Sequence, residues 1–190
     1  MNSRKALAAA AIALAAAGSH AASVVYEGVL VPSLAATGSV GGFGWFLESG
    51  TGVDYWRFAG TGGQIVTLSV DRLNGNLDPG LSFYSGTTTA DTSLFAAQAN
   101  WGGLTYLGSL DDEHAPSLTP GPGGDPFGSF VLPTTGNYTV VVGGANSTDA
   151  GAYPYRITMN LAAAPIPEPS VWAMFGVGLA GLGLLRRRRS

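Results

Sequence analysis

The chain has 190 residues, among them 29 glycines, 11 prolines and no cysteine, and only 11% of it is charged. The missing cysteines exclude disulfide support and a thiol nucleophile, while abundant Gly with little Lys or Glu argues against a helical domain. Six of the nine basic residues lie at Arg4, Lys5, Arg186, Arg187, Arg188 and Arg189, which leaves Arg57, Arg72 and Arg156 in the body against eleven acids, a net charge of −8. That balance excludes nucleic acid as a partner and is compatible with divalent cations.

The first segment, "MNSRKALAAAAIALAAAGSHAA", places two basic residues before an Ala/Leu run and closes on small residues. This is the pattern of a secretory signal peptide over residues 1–21, a helix that would be cut after Ala21, with Ala22 as the next choice. Everything from Ser23 onward is expected to be exported.

Residues 23–162 then show short apolar runs of period two, bounded by Gly, Pro, Asn and Asp, which predict half-buried strands. "SVVYEGVLV" and "GFGWFLES" are the first two expected strands. "VDYWRFAG" sets Trp56 and Phe58 on one face and Tyr55 and Arg57 on the other, and "QIVTLSV" sets Val66, Leu68 and Val70 opposite Thr67 and Ser69. "GLSFYSG", "FGSFVL", "NYTVVVGG" and "YPYRITMNL" continue the pattern, with Tyr138, Val140 and Val142 on one face and Tyr155, Ile157, Met159 and Leu161 on another. Seven or eight such strands without helical periodicity predict an all-β fold, an antiparallel β-sandwich or jelly roll in one domain. The long break at residues 86–126 offers weak strand patterns only around Leu94 to Ala97 and Leu104 to Leu107. A break of that length is where a functional loop would lie.

Little here supports catalysis. With His20 in the signal peptide, His114 is the one imidazole of the body, and no G-x-S-x-G accompanies it. The chain is therefore read as a non-enzyme. Metal binding has more parts. "NGNLD" spaces Asn74, Asn76 and Asp78 as oxygen ligands of a calcium loop would be, and "DDEH" adds Asp111, Asp112 and Glu113. Asp54, Asp71 and Asp125 could approach them in the fold. All-oxygen donors favour Ca²⁺ over zinc; the alternative is a hairpin turn with solvated acids. Trp45, Trp101 and Tyr106 lie in glycine-rich segments, where they either stack on sugar rings or pack in the fold, with Trp101 the ring expected to be exposed and Trp56 in the core.

The order of "DYWRFAGTGGQIVTLSV", "LDPGLSFY", "LGSLDDE", "FVLPTTGNYTVVVGGA" and "YPYRITM" over residues 53–161 resembles the bacterial pre-peptidase C-terminal type of β-sandwich. The resemblance implies a jelly-roll-like domain with no catalysis of its own. An accessory domain that binds Ca²⁺ or carbohydrate beside a secreted hydrolase is one role compatible with it.

The tail, "PIPEPSVWAMFGVGLAGLGLLRRRRS", has three parts over residues 165–190: Pro167, Glu168 and Pro169, an apolar run at 171–185, and Arg186 to Arg189. The run is 15 residues long, roughly 22 Å as a helix against a hydrocarbon core of about 30 Å. It is short for a permanent transmembrane helix. Its "GVGLAG" spells a dinucleotide fingerprint with no strand before it, and "LPTTG" at residues 132–136 spells a sortase signal, but it lies between two strand patterns and 34 residues before the apolar run of the tail. Both are rejected on context. The tail as a whole resembles the PEP-CTERM sorting signal of Gram-negative bacteria. By implication an exosortase cuts at or near Pro167 to Pro169, after the apolar helix has held the precursor in the inner membrane with the four arginines as a cytoplasmic basic anchor. The resemblance further implies an exported surface or extracellular-matrix protein, associated with exopolysaccharide and biofilm.

Overall fold

A computed structural model describes residues 22–119, 121–145 and 151–163. The expected signal peptide, the Pro-Glu-Pro motif, the apolar run at 171–185 and the four terminal arginines lie outside the described residues. Among the described residues no helix is long and apolar enough to cross a membrane.

The period-two runs fold as strands. In chain order these are β1 (Tyr26–Val29), β2 (Ala35–Gly41), β3 (Val53–Gly60), β4 (Ile65–Arg72), β5 (Pro79–Ser85), β6 (Thr105–Leu110), β7 (Phe127–Val131), β8 (Gly136–Gly144) and β9 (Ala152–Ala162), with a short 3-10 helix at Thr92–Leu94. They form two sheets, ordered β1-β3-β8-β5-β6 and β2-β9-β4-β7. Pairing is antiparallel except between β1 and β3, which run parallel. The fold is an all-β sandwich, as the alternation predicts.

The core lies between the sheets. Val66, Leu68 and Val70 of β4, Tyr138, Val140 and Val142 of β8, and Tyr155, Ile157 and Met159 of β9 all point into it, and burial of each such side chain contributes about 1.5–3 kcal/mol. Phe58, Phe83 and Tyr138 stack at its centre, with ring centroids 5.3 to 6.0 Å apart. A polar chain crosses the sandwich. The Trp56 indole N–H donates to the Tyr155 hydroxyl oxygen (2.7 Å), and that hydroxyl donates to Asp54 Oδ2 (2.8 Å). Burial raises the Asp54 pKa, against the lowering effect of the Tyr155 bond. Gly38 of β2 is required here, because a Cβ would run into the Asp54 carboxylate and the Tyr155 ring.

Two local expectations are corrected. "GFGWFLES" is not a strand: Leu47 N donates to Phe43 O, Ser49 N to Gly44 O and Glu48 N to Trp45 O, so residues 42–49 wind into successive turns. The apolar side chains are split accordingly, with Trp45 buried and Phe46 and Leu47 exposed. The strand before it is instead β2, "AATGSVG", whose small residues carry little β-propensity and which is held by seven register pairs to β9.

The break at residues 86–126 is largely a cover. Phe95, Ala97, Trp101 and Leu104 pack on Val53, Tyr55, Tyr84 and Val141, which face outward from the five-stranded sheet, and make a second core. The cover is tied down by Thr88 Oγ1 to Gly102 O (2.6 Å), Tyr84 Oη to Ala97 O (3.1 Å) and Ala97 N to Glu48 Oε1 (3.0 Å). This is why β8, apolar on both faces, is buried on both. The remainder of the break supplies β6 and the loops of the site below.

Candidate functional site

Three loops meet at the ends of β4, β6 and β7, and a buried arginine joins two of them. The Arg72 side chain, at the end of β4, is fully buried. Its Nε donates to Asp125 Oδ1 (2.6 Å), Nη1 to Pro122 O (2.6 Å) and Nη2 to Gly124 O. Asp125 Oδ2 also accepts from Ser117 N (2.8 Å) and Ser117 Oγ (2.6 Å). Burial by itself would raise the Asp125 pKa, but the Ser117 and Arg72 hydrogen bonds together outweigh it and hold the group below its ordinary value.

Against this cradle the β4–β5 turn delivers Asp78. Asn74 Oδ1 accepts from Asn76 N (2.9 Å), Leu77 N donates to Asn74 O (3.1 Å), and the buried Leu77 pins the turn to the core. Asp78 O then accepts from Ala145 N (2.6 Å). Asp111 and Asp112 arrive directly after β6 ends at Leu110. One carboxylate oxygen from each of Asp78, Asp111 and Asp112 lies within 4.8 Å of the others. Gly123, at φ +58°, closes the group: a Cβ there would meet Oδ1 of both Asp78 and Asp112, while Gly124 N donates to Asp112 Oδ1.

The three acids repel one another in a partly dry place. Asp78 Oδ1 and Asp111 Oδ1 are buried and have no hydrogen-bond partner; Asp78 Oδ1 has only Arg72 Nη2 at ion-pair distance, 3.7 Å. Burial, followed by the neighbouring Asp112 charge, pushes Asp78 up to about 6 despite Arg72. Burial and then Asp112, Asp78 and Glu113 push Asp111 up to about 6 as well. Oxygens bound to Ca²⁺ at 2.3–2.6 Å are at most about 5 Å apart, so the observed spacing fits a shared calcium ion. No His or Cys belongs to the group, and its all-oxygen donor set does not fit copper or zinc.

Of the six residues expected as metal ligands, the structure brings Asp78, Asp111 and Asp112 together. Glu113 is outside the group, its Oε2 accepting from Asp111 N (2.8 Å). The Asn74 side-chain oxygen is spent on the turn, and Asn76 is exposed. Among the other acids, Asp125 is taken by Arg72, Asp71 by Arg156 (Nη2 to Oδ2, 2.7 Å) and Asp54 by Tyr155. His114 is exposed, with its ring 5.3 Å from that of Phe127. Arg72, Gly123 and Gly124 shape this candidate site and were missed by sequence reasoning. The "GPGGDP" run signals a tight loop, but nothing local pairs it with Arg72.

The expectation of exposed sugar-stacking rings is corrected. Trp101 is 6% exposed and packs edge-on against Phe95 (5.5 Å) and Tyr84 (6.2 Å). Trp45 is 7% exposed, and its indole N–H donates to Ser82 Oγ (2.7 Å). Tyr106 is half-buried, 5.8 Å from the Tyr84 ring, with its hydroxyl on Ser109 Oγ (3.0 Å). All three serve the second core, because the outward face of the sheet needs an apolar cover.

Residues 165–189 match the family model of the PEP-CTERM protein-sorting motif. No curated protein sequence matches the chain significantly. Among solved structures the sandwich is similar to CorA, a surface-associated copper-binding protein of Methylomicrobium album BG8, at 13% identity and TM-score 0.56, covering 72% of this chain and 98% of that one. At that identity the likeness is one of fold. The chain is also similar to the pre-peptidase C-terminal domain of a Bacillus anthracis collagenase (15% identity, TM-score 0.42, 72% and 98% covered). A third similarity is to PliG, a periplasmic inhibitor of g-type lysozyme from Aeromonas hydrophila (15%, 0.41, 73% and 100%).

Proposed function

We propose that this chain is an exported, non-catalytic surface or extracellular-matrix protein, held as a membrane-anchored precursor and processed by an exosortase at Pro167, Glu168 and Pro169. The observation that carries the reading is the PEP-CTERM sorting motif over residues 165–189 joined to a β-sandwich body. The apolar run at 171–185 would hold the precursor in the inner membrane, and Arg186 to Arg189 would stay on the cytoplasmic side. The body has no cysteine, and its one histidine, His114, is exposed beside Phe127, which supports a binding or structural role. Association with exopolysaccharide belongs to the same reading. Intact-mass analysis of the protein recovered from the culture matrix is expected to give a chain ending near Pro167 to Pro169. A mass that retains the four arginines overturns it.

A second reading is favoured by the two buried, partnerless carboxylate oxygens: Asp78, Asp111 and Asp112 hold a Ca²⁺ ion that locks the loops at this end of the sandwich. Such a domain could equally assist a secreted hydrolase. CorA is described as copper-binding, whereas the oxygen-only donors here support a hard cation. The melting temperature of the full chain in detergent at pH 7.5 is expected to rise by about 5–10 °C at a Ca²⁺ concentration a hundred times the Kd, and not with Cu²⁺.

The pH dependence has a definite sign. An acid whose folded pKa stands above its unfolded value binds its proton more tightly when folded, so its contribution is complete below the unfolded pKa and lost as pH rises through the folded one. For Asp78 and Asp111 that window runs from 3.8 to about 6. Their contribution without cation therefore falls across it, and with Ca²⁺, which binds the ionised form, it rises. Asp111→Asn is expected to be more stable than the parent without cation at pH 7.5 and to lose the calcium response. An unchanged melting curve of the parent on adding millimolar Ca²⁺ sinks this reading and leaves the sorting reading intact.

A further inference from the structure

The second core covers one end of the outward face of the five-stranded sheet and leaves the other end open. There Arg57 of β3 stands between Val29 of β1 and Thr139 of β8, its register partners on either side. Its guanidinium lies 5.6 Å from the centre of the Tyr26 ring. That ring is fixed, because the Tyr26 hydroxyl accepts from Thr88 N (2.9 Å) and bonds Thr139 Oγ1 (2.9 Å). Thr139 Oγ1 in turn donates to Gly86 O (2.8 Å). The cation therefore rests on a prepared plane, which restricts its motion and leaves its donor edge for a ligand.

Arg57 differs from the other two arginines of the body. Arg72 is paired with Asp125 and Arg156 with Asp71, while among the described residues no carboxylate lies within ion-pair distance of Arg57. In a body of net charge −8 an unmatched cation is not explained by a shortage of acids. It faces a hollow of about 230 Å³ lined by Val29, Ala59, Thr87 and Asn137 beside Arg57 itself. Water occupies about 30 Å³ a molecule in the liquid, so the hollow has room for one small ring. Thr87 and Asn137 are exposed and carry a hydroxyl and an amide, and Gly86 N donates to Asn137 O (2.8 Å), which fixes the rim.

We propose that this hollow is a binding site for a carboxylate flanked by hydroxyls, a sugar acid, with Arg57 taking the carboxylate as a fork, Asn137 and Thr87 taking hydroxyls, and Val29 and Ala59 supporting the ring. Arginine suits the task because its planar guanidinium matches a carboxylate bidentately. The site is open to water and the body repels anions at long range, so binding is weak and short-ranged, in the millimolar range for a single ring. It is independent of both the sorting tail and the acid cluster.

The test is isothermal titration of the full chain in detergent with sodium glucuronate, glucose and a galacturonate hexamer. Glucuronate is expected to bind at least tenfold more tightly than glucose, Arg57→Gln to remove that preference, and Arg57→Lys to keep part of it. Asn137→Ala is expected to weaken glucuronate about threefold to tenfold. Arg57 is exposed, and the Arg57→Gln melting temperature is expected to stay within 2 °C of the parent, about the effect of an ordinary surface change; should that variant misfold, Arg57→Lys and Asn137→Ala carry the test. Tighter binding of the hexamer than of glucuronate places the ligand in an acidic polysaccharide; binding of glucuronate with exclusion of the hexamer places it among free sugar acids. Equal affinity for glucose and glucuronate, or glucuronate binding unchanged in Arg57→Gln, overturns the proposal.

Discussion

Arg72→Ala is expected to cost about 3–5 kcal/mol, the range for breaking a buried ion pair from one side, and to lower the melting temperature by about 10–20 °C. The cause is what remains. Asp125 would stay buried with its charge met only by Ser117 and the backbone N–H of residue 72, and the carbonyls of Pro122 and Gly124 would lose their donors. Replacing both partners by apolar side chains, Arg72→Met with Asp125→Leu, removes the stranded charge, so the double variant is expected to lose markedly less than the sum of the singles. Urea unfolding of the parent, the two singles and the double measures this coupling. A loss below about 1 kcal/mol for Arg72→Ala would place the side chain in contact with water and contradict its complete burial. The same variant is expected to blunt the calcium response. Arg72 holds the loop that presents Gly123 and Gly124 to Asp78 and Asp112, so losing it loosens the acids without removing one.

Phe83→Ala is the second large effect, about 3–5 kcal/mol. Phe83 sits in β5, fully buried, with its ring against those of Phe58 (6.0 Å), Tyr138 (5.5 Å) and Phe130 (4.9 Å). Alanine would leave a void bounded by both sheets, and the neighbouring aromatics are themselves held by strand register, so the site collapses poorly. Phe83→Leu, which keeps more of the volume, is expected to cost less. Val131→Ala is the control: Val131 is 66% exposed in the edge strand β7, and its loss is expected to stay within about 0.5 kcal/mol. The measurement is the urea midpoint at constant slope. If Phe83→Ala and Val131→Ala lowered it equally, the stacked aromatic centre would not hold the two sheets together.

Both effects concern residues whose partners lie far away in sequence, and the two differ in how visible they are there. Phe83 belongs to "GLSFYSG", where the strand pattern is plain, although β5 is buried on both faces and its alternation does not single out the inward one. Arg72 closes "QIVTLSVDR", where the pattern puts it on the same face as Val70, yet an arginine there reads as a strand end turning to water. The choice between burial and exposure was made by Asp125, 53 residues on.

The sequence by itself determined that this is an all-β sandwich, which faces of β3, β4, β8 and β9 turn inward, and that its tail is a PEP-CTERM sorting motif, the last matched by the family model. These are local properties: alternation has a period of two wherever the strand ends up, and a sorting signal is read as a linear peptide. Tertiary structure alone decided that β2 is a strand, that residues 42–49 are turns, that β1 runs parallel to β3, and that Trp45 and Trp101 roof the sheet. It also chose Asp78, Asp111 and Asp112 from ten acids among the described residues and left Arg57 without one. Each of those outcomes depends on which loops topology brings to the same end of the sandwich, and charges separated by dozens of residues acquire their partners, or fail to, only when the sheets have closed.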